Sequence, residues 1–135
     1  MQRKSSNSAE IRLFRLDLER VLEFLKAYAR RLVDTGRAEL VVLVGSLARG
    51  DYTAFSDADL LIVAEDVPKL SLDRISAYMD SKSPIDIEPR VLTKNEFYIM
   101  ASEKSRLVRE VLEYGIVLAG DSKILDNAKV YFSSK

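Results

Sequence analysis

The chain has 135 residues, 47% of them apolar, and its 21 lysines and arginines balance its 21 aspartates and glutamates. That length supports one hydrophobic core and not two, and the even charge lacks the basic excess by which duplex nucleic acid is normally gripped, which disfavours a nucleic-acid partner. With no cysteine and no histidine, disulfides, thiolate nucleophiles, zinc sites of sulfur or imidazole and histidine acid–base chemistry are excluded; a metal must sit on oxygen, and a general base must be a carboxylate, a lysine or a tyrosine.

No apolar run reaches bilayer length and the first ten residues lack a signal-peptide core, so a cytoplasmic protein without a membrane segment is expected. Residues 1–8 read as a flexible lead into a long helix over 9–34. In it Ile11, Phe14, Leu18, Val21, Leu25, Tyr28 and Leu32 recur three or four apart. Leu13, Leu16, Leu22, Phe24 and Val33 widen that stripe beyond one face, which marks the helix as core and also as a candidate interface with a second copy or another protein. Gly36 is a plausible stop.

Two apolar runs, 40–44 and 58–63, have the look of strands buried on both faces. Between them Gly45 ends the first, 46–50 fits a single helical turn and 51–57 reads as a loop. A helix follows over 70–79. The alternation over 85–92 predicts a third strand, at a sheet edge or with a bulge, because Pro89 has no N–H to give. Thr93 and Glu96 match a capping box that starts a helix at Lys94, with helix continuing over 102–114 until Gly115. A short strand over 116–118 and a polar tail over 120–135 complete the chain. The whole is a single α+β domain, a small mixed β-sheet with helices packed on it, whose core spans 38–118.

The chemistry concentrates between Gly45 and Val63. Asp57 and Asp59 stand two apart before a strand, so both carboxylates point to one side. Two carboxylates so placed repel unless a cation lies between them, and oxygen ligands of this kind suit magnesium. Gly45 lets backbone approach a phosphate, Ser46 can donate a hydrogen bond to it, and Arg49 offers a guanidinium. Each residue also has a structural reading. Asp57 and Asp59 could be solvated turn residues, Ser46 a cap, and Arg49 a partner for Asp51 or Asp57; Tyr52 and Phe55 could stack on a base or pack the loop.

A Gly-Ser pair, ten intervening residues and Asp-x-Asp, filled here by Gly45, Ser46, Asp57 and Asp59, resembles the motif of the DNA polymerase beta-like nucleotidyltransferase superfamily. The fuller string, Gly-Ser-x-Ala-Arg-Gly with Ser-Asp-x-Asp-Leu, is similar to the minimal nucleotidyltransferases of archaea and bacteria. The resemblance implies a polymerase beta-like palm fold, magnesium or manganese on Asp57 and Asp59, and ATP as substrate. It further implies a third carboxylate from a neighbouring strand, for which Asp86 is preferred and Glu88 is the alternative. Catalysis would then rest on Asp57, Asp59 and Asp86, with the nucleotide on Gly45, Ser46 and Arg49. Proteins of this type are frequently encoded with a HEPN-domain toxin and move AMP from ATP to its tyrosine. The alternatives are a silent antitoxin that binds by contact alone and a small-molecule nucleotidyltransferase, for which this length leaves little acceptor pocket.

Overall fold

The computed structural model describes the backbone over residues 3–134 and the side chains over residues 18–134. In chain order the elements are α1 (Arg3–Asp34), β1 (Leu40–Val44), α2 (Gly45–Arg49), β2 (Ala58–Val63) and α3 (Ser71–Tyr78). They are followed by β3 (Ile87–Leu92), α4 (Lys94–Ser102), α5 (Arg106–Tyr114), β4 (Ile116–Gly120) and α6 (Lys123–Ser133). The four strands form one sheet in the order β3-β2-β1-β4, with β3 parallel to β2 and both other pairs antiparallel. This is the mixed sheet the sequence predicts.

Apart from Asp59 at the start of β2, both central strands are apolar because both faces of the sheet are covered. Val41, Leu43, Leu60 and Ile62 pack toward α1 and α3, where Val21, Leu25, Tyr28, Ala29, Leu32 and Tyr78 meet them. Leu40, Val42, Val44, Leu61 and Val63 pack on the other side against Phe97, Val108, Val111, Ile124 and Ala128 of α4, α5 and α6. From Leu18 onward the predicted stripe of α1 is therefore core. Its earlier positions Ile11, Leu13, Phe14 and Leu16 lie outside the described side chains. No helix among the described residues is long and apolar enough to cross a membrane.

Three segments differ from expectation. Helix α1 begins at Arg3, so the lead expected to be flexible, 1–8, is helical from its third residue. The single helix expected over 94–114 is two, because Lys104 takes a left-handed φ of 59° and Ser105 caps α5, its Oγ accepting from the Val108 N–H at 3.3 Å. The polar tail over 120–135 contains α6, whose Ile124 and Ala128 are buried and whose Leu125 and Phe132 pack beside them. That four-residue spacing is a helical stripe too short and too diluted by charge to stand out in the sequence.

Strand β3 lies at the sheet edge, where Pro89 forfeits no ladder bond. Arg74 of α3 covers the same edge by donating to the Val91 carbonyl at 2.9 Å and to Glu96 at 2.8 Å. Glu96 also closes the capping box of α4: the Thr93 N–H donates to it at 2.9 Å, and Thr93 Oγ1 accepts from the Glu96 N–H at 3.1 Å. Thr93→Ala is expected to cost about 1 kcal/mol, seen as a lower urea midpoint at unchanged slope. An unmoved midpoint would mean that the Arg74–Glu96 pair alone holds the start of α4.

Candidate active site

Because β1 and β2 are antiparallel, the last residue of β1 lies opposite the start of β2, Val44 facing Asp59. The chain turns there at Gly45, with a φ of +73°, into α2. A Cβ at Gly45 would collide with the Asp59 carboxylate and lie 3.1 Å from the Asp59 Cβ. The missing side chain is what lets the turn and the carboxylate occupy one place.

Ser46 follows, half-buried, its hydroxyl donating to Ser56 Oγ at 3.0 Å. Ser56 Oγ in turn accepts from the Thr53 N–H at 2.9 Å, which ties the loop before β2 to α2. In that loop Tyr52 packs against the α1-side core, whereas Phe55 is 93% exposed.

Asp57 is exposed and Asp59 half-buried, on the face of β2 that continues through Leu61 and Val63. Across the parallel pair, the residue opposite Asp59 is Glu88. Burial is the main reason that the Asp59 carboxyl is pushed up to about 6; the hydrogen bond and charge of Glu88 raise it further, Arg90 opposes and Asp57 adds. Asp59 and Glu88 thus form a carboxylate pair in which burial and the neighbouring acid both favour the protonated form of Asp59. Asp86 precedes β3, is exposed, and meets β2 through its backbone, the Ala58 N–H donating to its carbonyl at 2.8 Å. The strand register therefore sets Glu88, the alternative, and not the preferred Asp86, beside Asp59. Among the described residues no three carboxylates converge as a preformed metal cage.

A cavity of about 370 Å³ opens over Gly45 and Asp59, and Arg49, Arg90, Arg106 and Glu110 line it. Arg49 has the structural partner expected for it in Asp51. It lines this cavity, yet its guanidinium donates to Asp51 at 3.1 Å, to Tyr114 Oη at 3.0 Å and to Glu110 at 3.3 Å. Those bonds, led by Tyr114, hold it firmly protonated. Arg90, Arg106 and Glu110 are absent from the sequence motif. Arg90 had a signal, since it stands two residues beyond Glu88 on one strand and shares its face. Arg106 and Glu110 had none, because only the packing of α5 brings them over the end of β1.

Residues 18–118 match the nucleotidyltransferase domain family. Two proteins of Methanocaldococcus jannaschii named as protein adenylyltransferases are similar. MJ0141 is 32% identical over 103 residues, covering 73% of this chain and 95% of that protein. MJ1305 is 39% identical over 64 residues, covering 39% of this chain, and the chain spans only 44% of its length. Among solved structures, a chain of a toxin–antitoxin crystal structure with AMP-PNP shares the fold at a TM-score of 0.53 and 16% identity, over 79% of this chain and 80% of that one. A chain of a mutant MntA–HpeT toxin–antitoxin does so at 0.54 and 18%, over 76% and 78%. The chain therefore belongs to the nucleotidyltransferase domain family and is a nucleotidyltransferase.

Proposed function

We propose that the chain moves AMP from ATP onto a hydroxyl of a partner protein, a tyrosine of a HEPN-type toxin being the favoured acceptor. The observation that carries this reading is the cavity in which Gly45 and Asp59 lie together under Arg49, Arg90 and Arg106. Guanidiniums match phosphate oxygens in charge and geometry, and a glycine turn lets backbone approach them. The names of the two archaeal relatives support a protein acceptor and AMP as the group moved, and the toxin–antitoxin structures that share the fold support a toxin as partner.

In this reading the acceptor oxygen attacks the α-phosphorus in line, the bond from that phosphorus to the β-bridging oxygen breaks, and pyrophosphate leaves. The acceptor proton passes to a carboxylate of the Asp59–Glu88 pair. Arg49, Arg90 and Arg106 hold the departing phosphates, and Ser46 adds a hydroxyl once it turns from Ser56. Asp57, Asp59 and Glu88 would hold magnesium or manganese; their oxygen donors fit such an ion, and so does the mutual repulsion of the Asp59–Glu88 pair. Bound there, the metal would neutralise charge on the attacking and leaving oxygens.

Loading that pair requires Asp59 to lose its proton. Affinity for magnesium–AMP-PNP is therefore expected to fall as pH drops through about 6, approaching about tenfold per pH unit below it. Titration calorimetry from pH 5 to 8 measures this, and a flat profile would contradict the assigned ligand. The function itself is tested by incubating the chain with α-labelled ATP, magnesium and a purified HEPN-domain protein, and in parallel with a lysate of its source cell. Label on that protein, absent when its tyrosines are phenylalanine, is the expected result. Label on RNA or on small molecules only would replace the acceptor.

A further inference from the structure

We propose that the groove along β3 is the acceptor site, and that it takes a tyrosine presented by an irregular polypeptide segment of another protein. This rests on the transfer reading given above. The groove, about 780 Å³, runs between α3 and the α4–α5 pair across the edge of the sheet, and it is lined by Ile75, Met79, Met100 and Leu107 with Glu88 and Arg90 at its rim. Arg90 and Leu107 also line the cavity above Asp59. The two spaces therefore meet beside the Asp59–Glu88 pair, where an acceptor oxygen must arrive.

The chemistry of the walls selects the occupant. A nucleic-acid acceptor is held by aromatic platforms and available cations. This lining has no aromatic side chain, its Arg74 is already bonded to Glu96 and to the Val91 carbonyl, and its other cations, Lys69 and Arg90, are offset by Glu88 and Glu96 in the same walls. Two methionines among aliphatic side chains suit an aromatic ring instead, through sulfur–ring contacts and their ability to adapt in shape. A tyrosine places its hydroxyl at the far end of such a ring, long enough to pass from an apolar wall to the polar rim; a serine hydroxyl sits too close to its own backbone. The apolar surface continues beyond the groove along α3, where Leu70 is 68% and Leu72 is 77% exposed. An extended apolar surface of this kind marks a protein partner. The segment does not dock by adding a strand, because Pro89 has no N–H to offer and Arg74 occupies the Val91 carbonyl on the open edge.

The test uses the full chain with magnesium–AMP-PNP and N-acetyl-tyrosinamide, N-acetyl-serinamide and a uridine oligonucleotide as probes. Methyl NMR should show the tyrosine probe shifting Ile75, Met79, Met100 and Leu107, with the serine probe and the oligonucleotide leaving them in place. In transfer assays on a tyrosine-containing peptide, Ile75→Arg and Met79→Arg should raise KM by about tenfold or more with AMP-PNP affinity unchanged. Met79→Ala, which adds no charge and cannot be blamed on misfolding, should raise it by about threefold. Nucleotide binding intact with an unmoved peptide KM in all three variants overturns the groove alone, as does an oligonucleotide that shifts the same methyls. Absence of magnesium-dependent AMP-PNP binding in the unaltered chain overturns the transfer reading and the groove with it.

Discussion

With Asp59 in the metal-holding role proposed for it, Asp59→Asn is expected to slow nucleotidyl transfer by about 10³-fold, since charge stabilisation by a metal at a reacting phosphate is worth several kcal/mol. Stability should move the other way. Asp59 is pushed up to about 6 from its ordinary 3.8, chiefly by burial, so the folded state holds its proton more tightly than the unfolded chain does. The sign follows: as pH rises from about 4 through 6, ionising Asp59 takes stability away. Asparagine carries no such charge, so the variant's melting temperature should exceed that of the parent at pH 8 and match it at pH 4. Transfer within tenfold of the parent, or a melting temperature lowered at both pH values, would remove Asp59 from the site.

Gly45→Ala is expected to abolish nucleotide binding, with an affinity loss of about 10²-fold or more, because a small displacement of a positioned reacting group is that costly. Two effects act on it. The left-handed φ of +73° costs a residue with a Cβ about 1–2 kcal/mol, and the new methyl must push the Asp59 carboxylate aside. Gly50→Ala separates them. Its φ is +93° but nothing lies within 4 Å of the position its Cβ would take, so it should lower stability by a similar amount while keeping AMP-PNP affinity. Equal affinity losses in the two variants would show that backbone strain alone weakens binding.

How much of this was legible depended on how local each signal is. Gly45, Ser46, Asp57 and Asp59 lie in one short string whose spacing carries meaning, and β1 and β2 read as buried strands because their apolar runs are unbroken. Thr93 and Glu96 announced α4 through a cap written three residues apart in the chain. Register is different. That Glu88 and not Asp86 faces Asp59 is decided by how β3 slides along β2, and two acids two apart on one strand give no hint of it. The break at Lys104 hid because Leu107, Val108 and Val111 continue an apolar pattern that could belong to a single helix. Arg106 and Glu110 reach the site only through the docking of α5, which no pattern in the chain encodes.

The order in which the strands enter the sheet has a bearing on synthesis. Gly45 and Asp59 come together as soon as β1 and β2 pair, a short closure with little entropy to overcome. Glu88 joins only when β3 has returned alongside β2, and Arg106 only when α5 has covered the far face. A nascent chain that has emerged through β2 therefore holds half of the charge cluster and none of the arginines of β3 and α5. The pocket over Gly45 and Asp59 is finished only with the last layer of the core, so a chain still folding on the ribosome does not yet have it.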